Sequence, residues 1–372
     1  MELEAEENHM ATTGIVSNVA IRGIACAVSE QCVCNDSYAE KYGAENVAKF
    51  IAMTGVKARY VAAPEQTASD FAYVAAEQVL AKLGWEKNQV DGILFVTQSP
   101  DYPLPATACV LHHRLGLGTD CLAFDINLGC SGFVYGLFVA ASLCREKAIQ
   151  RMVLCGGDIS TRGVSPDDKS TAMLFGDSGF AVALEYDTSV APWNFLFRTD
   201  GSGFKHIIVP AKGHRHPKGD ETLREFGEGV WRGDHHLFLN GAEVFNFTIS
   251  EVPLAIKQLM TSTQWTPEQT DYLVLHQANH FILKNIARMT KFPMEKVPVS
   301  MDRYGNTSVS SIPITLCDAF AGKGLEGGPR KIVMSGFGVG LSWGVLTMEM
   351  DPSVCLPIEK TNDFFVDGDL EG

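Results

Sequence analysis

Two stretches of this chain carry the same order of local patterns at a nearly constant offset, and that repetition restricts its fold more than any single motif does. "DGILFV" starts at Asp91 and "DYLVLH" at Asp271, 180 residues apart; "RMVLCGG" starts at Arg151 and "RKIVMSG" at Arg330, 179 apart. Between these markers both stretches read helix, strand, helix. The helices "PATACVLHHRLG" and "NHFILKNIARMT" correspond, then the strands "CLAFDIN" and "VPVSM", then helices opening at Cys130 and near Asn306. Each copy adds one more strand, "GFAVALEY" and "LSWGVLTMEM". Strands alternating with helices imply mainly parallel sheets covered by helices, and two such units imply a pseudo-twofold body. The expectation is an α/β fold of two duplicated halves, residues 17–187 and 188–350. A disordered leader or cloning remnant precedes them over 1–16, and a flexible acidic tail follows over 351–372. The segment from about 200 to 236 has no counterpart in the first half and reads as an inserted surface loop.

Composition narrows the function classes. A formal net charge of −14 argues against nucleic acid as a partner, because phosphate binding relies on dense Lys and Arg. Lys205, Lys212, Arg215, Lys218, Arg224 and Arg232, with Lys284, Arg288 and Lys291, are the candidates for a local basic patch. Ile126 to Cys144 runs 19 residues without a charge, yet it holds Asn127, Gly129, Gly132 and Gly136 and reads as a helix buried in protein, not a membrane span. The N-terminus lacks the charged and apolar regions of an export signal, so the ten cysteines are expected as reduced thiols in the cytoplasm.

Within "NLGCSGFVYG", Cys130 stands between glycines where a strand gives way to a helix. Unpaired N–H groups and the helix dipole favour negative charge there, so the sequence predicts a favoured thiolate. "LVLHQAN" places His276 at a strand end, with Asn279 opening the next helix. "RYGNTSVSS" places Asn306 before a helix, where an N-cap explains it equally well. "GFGVGLSWG" joins two strands in a tight turn exposing backbone N–H groups and lacks the following helix of a dinucleotide fingerprint. Ligands bind beyond the carboxyl ends of strands in open α/β sheets, which gathers these features at one crevice. A thiolate, two neutral donors and a backbone anion site suit thioester chemistry. A papain-type hydrolase also uses Cys, His and Asn, but its "CGSCW"-like signature is absent.

"DINLGCSGF", "HQAN", "YGNTS" and "GFGVGLSWG" in this order resemble the signature segments of β-ketoacyl-acyl-carrier-protein synthase III, a branch of the thiolase-fold superfamily. So do "MTGVKARYVAAPEQTASDFA" and "FGDSGFAVAL", and the resemblance spans roughly residues 17 to 350. It implies a thiolase-like five-layered αβαβα fold, a homodimer, and no permanently bound cofactor or metal. Cys130, His276 and Asn306 would be catalytic, and the N–H groups of Cys130 and Val339 would form the oxyanion hole. The substrates would be an acyl-CoA or acyl-ACP and malonyl-ACP. Cys130 would take the acyl group, and a decarboxylative Claisen condensation would give a 3-ketoacyl product. Gly241, Phe245, Asn279 and Phe337 match substrate-binding positions.

Other recognition positions depart from the family pattern. Lys49 and Met53 stand where a Trp and an Arg commonly clasp the adenine of coenzyme A, Ala242 replaces an Asn near the pantetheine, and Phe281 replaces an Arg. Leu104 occupies a position where many members carry an aromatic that crosses the dimer interface and closes the acyl pocket. These changes lean towards a specialised lipid, glycan or secondary-metabolite route. A catalytically silent partner subunit and a non-decarboxylating acyltransferase are the alternatives on the same fold. The histidines His206, His214, His216, His235 and His236 of the insert lack a cysteine or carboxylate at ligand spacing, so no metal is expected.

Overall fold

The computed structural model describes residues 12–323 and 328–368. Its main strands, in chain order, are β1 (Thr12–Val16), β2 (Val19–Ser29), β3 (Gly92–Val96), β4 (Leu122–Ile126), β5 (Arg151–Asp158), β6 (Ser178–Tyr186), β7 (Trp193–Thr199), β8 (Tyr272–Leu275), β9 (Arg330–Gly338), β10 (Ser342–Met350) and β11 (Glu359–Thr361). One sheet has the order β11-β2-β6-β5-β3-β4 and the other β1-β7-β10-β9-β8. The duplication is visible in the pairing: β5 and β3 are parallel neighbours, as are β9 and β8, while β5–β6 and β9–β10 are antiparallel.

The two marker aspartates do the same work in each half. Asp91 accepts from the N–H groups of Gln150 and Arg151, and Asp271 accepts from that of Lys331, so each ties the start of one strand to its neighbour. The sheets are mixed and not mainly parallel, because β5–β6 and β9–β10 follow one another without a crossover helix.

The helices longer than four residues are α1 (Ala44–Thr54), α2 (Ala68–Leu83), α3 (Thr107–Leu115), α4 (Gly132–Cys144), α5 (Gly241–Ser262), α6 (His280–Thr290) and α7 (Ser311–Phe320). Three apolar clusters define the layers. One joins the facing sides of both sheets through α4 and α7, one covers the outer face of the first sheet with α2 and α3, and one covers the second with α5 and α6. The result is α/β/α/β/α. The uncharged stretch before Cys144 is thus α4, buried between the sheets. Among the described residues no helix is long and apolar enough to cross a membrane. Gly132 and Gly136, one turn apart, permit this depth: a Cβ on either would lie 2.8 or 2.7 Å from a methyl group of Val96 in β3.

Three expectations change. "VPVSM" is not a strand: Pro298 has no N–H for a ladder, and the segment is held by Gln277, whose side chain bonds Pro298 O and Ser300 N before a single helical turn at Met301–Tyr304. The expected leader contains β1, which pairs with β7 of the second sheet; residues 1–11 lie outside the described residues. The tail is not free, since β11 pairs with β2, Gln66 donates to Thr361 O and Asp363 O, and Phe365 N–H donates to Asp70. Residues 369–372 lie outside the described residues. The insert carries two-residue ladders, Ile207–Ile208 with Phe238–Leu239 and Arg224–Glu225 with Trp231–Arg232.

Candidate active site

Cys130 lies in the turn between β4 and α4, closed by Gly132 N–H donating to Gly129 O at 2.7 Å. Its position ahead of a helix agrees with the sequence, but its ionisation does not. Burial pushes the thiol up to about 12, and the charge of Asp158 adds to the rise, while the Ser308 hydroxyl opposes it. The resting sulfur is therefore a thiol, because desolvation outweighs the helix terminus.

His276 follows β8 and is buried at 2% exposure, with its N–H held by Ser335 O at 2.9 Å. Nδ1 lies 2.7 Å from Ser311 Oγ, and the Phe337 ring meets the imidazole edge-on at 5.4 Å. Burial pushes the ring down to about 3, opposed by the Ser308 backbone, so it is neutral near pH 7. Asn306 is pinned by its main chain, its N–H donating to Leu174 O and its carbonyl accepting from Gly176 N. Its side-chain Oδ1 accepts from Ser308 N–H at 3.0 Å, the turn-capping bond the sequence allowed, and this orients Nδ2 as a donor.

Sequence reasoning missed the residue that joins these three. Ser308 Oγ is 4.0 Å from Cys130 Sγ, its N–H orients Asn306, and its backbone neighbours the His276 ring. Ser311 was missed as well. The cluster of hydroxyls in "NTSVSS" was the available signal. The turn between β9 and β10 closes the other side. A Cβ on Gly338 would lie 2.7 Å from Cys130 Cβ and 3.2 Å from its sulfur. Ser342 donates to Val339 O at 2.7 Å and lies 2.7 Å from Ser131 Oγ, which couples the orientation of the Val339 peptide to the residue after Cys130.

The expected recognition residues divide. Phe281 of α6 is 53% exposed and stacks on Phe245 of α5, 5.2 Å between centroids. Met53 on α1 is exposed, and α1 ends against α6, where a Cβ on Gly55 would lie 2.9 Å from His280 Cβ. Lys49 pairs with Glu45 on its own helix at 2.7 Å. Asn279 caps α6 by accepting from Ile282 N–H, and Gly241 opens α5. Leu104 is not brought to the sulfur within this chain; it is 81% exposed on the loop after β3.

The insert walls a cavity of about 920 Å³ that includes Phe204, Lys205, Arg215, Phe226, Arg232 and Phe238. Lys205, Lys212, Arg215, Lys218 and Arg224 are exposed, as are Lys284, Arg288 and Lys291, whereas Arg232 is buried against Asp168 at 2.8 Å. His235 and His236 bond the backbone at Lys218 O and Gly233 N. Among the described residues no group of three His, Cys, Asp or Glu gathers to hold a metal.

The family described as 3-oxoacyl-[acyl-carrier-protein (ACP)] synthase III matches residues 124–201, and its C-terminal region matches 260–350. The chain is 35% identical to beta-ketoacyl-[acyl-carrier-protein] synthase III of Prochlorococcus marinus (strain MIT 9313), covering 90% of this chain and 96% of that one. It is 34% identical to the protein of the same name from Enterococcus faecalis (strain ATCC 700802 / V583), covering 87% and 96%. Among solved structures, 3-oxoacyl-(acyl-carrier protein) synthase from Burkholderia xenovorans LB400 superposes with a TM-score of 0.89 at 35% identity, over 94% of this chain and 99% of that one. At 22% identity the priming β-ketosynthase of the R1128 polyketide pathway shares the fold, with a TM-score of 0.76.

Proposed function

This chain belongs to the 3-oxoacyl-[acyl-carrier-protein] synthase III family, and from that premise we propose that Cys130 accepts an acyl group and condenses it with a malonyl thioester. The observation that carries this reading is Ser308, which stands beside the sulfur, the amide and the imidazole together. In the first step Cys130 Sγ bonds to the acyl carbonyl carbon, the oxyanion faces the N–H groups of Cys130 and Val339, and the donor thiol leaves. In the second, the malonyl C–C bond to its carboxylate breaks, carbon dioxide departs and the electron pair forms an enolate. In the tautomer that this step uses, Ser311 Oγ donates to Nδ1 and the neutral His276 ring carries its proton on Nε2, so that Nε2–H and Asn306 Nδ2–H together donate to the enolate oxygen. The enolate carbon attacks the acyl carbonyl, the bond to Sγ breaks and solvent reprotonates the sulfur. Both donors act on charge that develops during reaction, which lowers the barrier without tightening ground-state binding.

The rim of Met53, Phe281 and Phe245 presents apolar surface, and Lys49 is engaged by Glu45. This favours a donor other than ordinary acetyl-coenzyme A, delivered on an acyl carrier protein, in a specialised pathway. A homodimer completes the reading: among the described residues β4 is a sheet edge, with Phe124 exposed, open to the same strand of a second copy.

Intact-protein mass spectrometry after incubation with a panel of acyl-coenzyme A and acyl-carrier thioesters tests the reading. A mass gain of one acyl group, absent in Cys130→Ala, and release of carbon dioxide on adding the malonyl thioester are expected. Efficient loading from acetyl-coenzyme A would overturn the donor assignment, and no loading from any donor would overturn the acyl-cysteine itself.

A further inference from the structure

The inserted segment, which no step of the condensation uses, folds into a chamber of its own. Its two short ladders bring Arg224, Phe226, Arg232 and Phe238 to the wall of the cavity of about 920 Å³. That volume falls within the range of about 300–1,000 Å³ typical of small-molecule sites. The chamber is turned away from the candidate active site. Leu237 and Leu239 pack against the apolar cluster that contains Phe337 and Val339, whereas Phe238 between them turns to the cavity, as alternation along an extended segment requires.

Positive charge and apolar surface are both in excess inside it. Lys205, Arg215, Arg224 and Arg232 line the cavity with one carboxylate, Asp234, in a chain whose net charge is −14. Arg224 and Arg232 stand directly opposite each other in their ladder, where like charges repel. Asp234 bonds Arg224, and Asp168 lies 2.8 Å from Arg232 Nε, but among the described residues Lys205 and Arg215 have no carboxylate partner. The Arg232 guanidinium lies over the rings of Phe226 and Phe238, at 5.4 and 5.1 Å, and the residue is only 6% exposed, yet its Nη1 has no hydrogen-bond partner. A buried donor without an acceptor is unusual and calls for a reason. Phe204, Val209 and Phe226 on the same wall are exposed, and apolar surface gathered in this way marks a place where something binds.

We propose that the insert cavity is a binding site for an amphiphilic anion, whose carboxylate or phosphate head pairs with Arg232, Arg215 and Lys205 and whose apolar body lies on Phe204, Phe226 and Phe238. A planar guanidinium matches the oxygens of either head group, and the rings match the body. A bare inorganic anion would leave the rings wet, and an uncharged hydrocarbon would leave Arg232 Nη1 unpaired. The site is independent of the acyl-cysteine reading, since it uses none of Cys130, His276 and Asn306 and involves no covalent step.

The test is isothermal titration of the full chain with dodecanoate and with dodecyl phosphate, each below its micelle concentration, and with dodecylammonium as a control of equal length and opposite charge. Saturable binding of at least one anion is expected, the tighter of the two naming the head group, with no binding of the cation at the same concentrations. Arg215→Glu and Phe226→Ala lie at exposed positions and leave the Arg232–Asp168 pair in place. Each should weaken binding by about tenfold, the scale of one charge-assisted hydrogen bond or one ring contact. Hydrogen exchange locates the ligand: amides within residues 204–238 should slow in its presence. Absence of binding, equal binding of dodecylammonium, or unchanged affinity in either variant would overturn the proposal. So would slowing confined to the segments around Cys130, His276 and Gly338, because the probe would then occupy the candidate active site instead.

Discussion

Cys130 and His276 are shifted in opposite directions by one cause, the withdrawal of water, so each rests uncharged. For Cys130 the consequence is optical. The thiolate absorbance that separates wild type from Cys130→Ala should be missing at about pH 9, half a unit above the ordinary thiol range. A full thiolate difference there would show that the helix terminus outweighs burial. For His276 the consequence is energetic. A ring depressed to about 3 leaves the unfolded chain with more bound protons between that value and 6.5, so stability falls as pH drops through this window. Urea unfolding should show wild type losing about 2 kcal/mol between pH 6.5 and pH 5 that His276→Gln does not lose. The convergence of Cys130, His276 and Asn306 on one place was legible because each sits in a short local motif at the end of a strand or the start of a helix. Their charge states were not, since burial is imposed by β9, β10 and α7 from elsewhere in the chain. Ser308 escaped notice because the run of hydroxyls in "NTSVSS", the local signal there was, does not tell which of them meets the sulfur.

At the level of elements, the turn between β9 and β10 is a steric mould for the Cys130 side chain. In Gly338→Ala the added Cβ would have to displace the Cys130 side chain. Acylation measured by mass should drop by about 100-fold, the cost of a reacting atom moved by about an ångström, while far-UV dichroism stays unchanged. The tail is clamped rather than loose. Arg114 of α3 is sandwiched between Tyr73 and Phe365 at 4.6 and 4.7 Å and bonds Asp70 at 2.9 Å, with both charges nearly dry. Arg114→Ala leaves the Asp70 carboxylate buried without its counter-charge, held by the N–H groups of Thr67 and Phe365, so chemical denaturation should register a loss of about 3 kcal/mol. Elements such as "GILFV" were legible because a strand buried on both faces is an unbroken apolar run. "VPVSM" looked the same, but Pro298 removes the donor a ladder needs. The strands β1 and β11 were missed because "TTGIV" and "EKT" are short and half polar and become strands only beside a partner.

On the scale of the whole molecule, the repeat at offsets of 180 and 179 residues foretold two matched sheets, and the structure adds that the chain ends cross over. β1 belongs to the second sheet and β11 to the first, which fastens the halves together. The open flank is β4, and Asp125 of that strand accepts from the first N–H groups of α3 at the end of the loop bearing Leu104. Sedimentation should report wild-type protein at twice the 40.5 kDa chain mass, and Phe124→Lys should shift it towards one chain, as a charge on an edge strand discourages pairing. A monomeric wild type would remove the expectation that a second copy completes the pocket near Leu104.

The distance along the chain between Cys130 and the turn at Gly338 also sets a schedule for biosynthesis. At about 5–20 residues per second, roughly 10–40 seconds separate the synthesis of the two. Until the later segment arrives the sulfur has no dry pocket around it and titrates as an ordinary thiol, near 8.5. The nascent chain is therefore more open to oxidants and alkylating agents than the finished protein. Completing the second half both assembles the proposed reaction centre and shelters its most vulnerable atom.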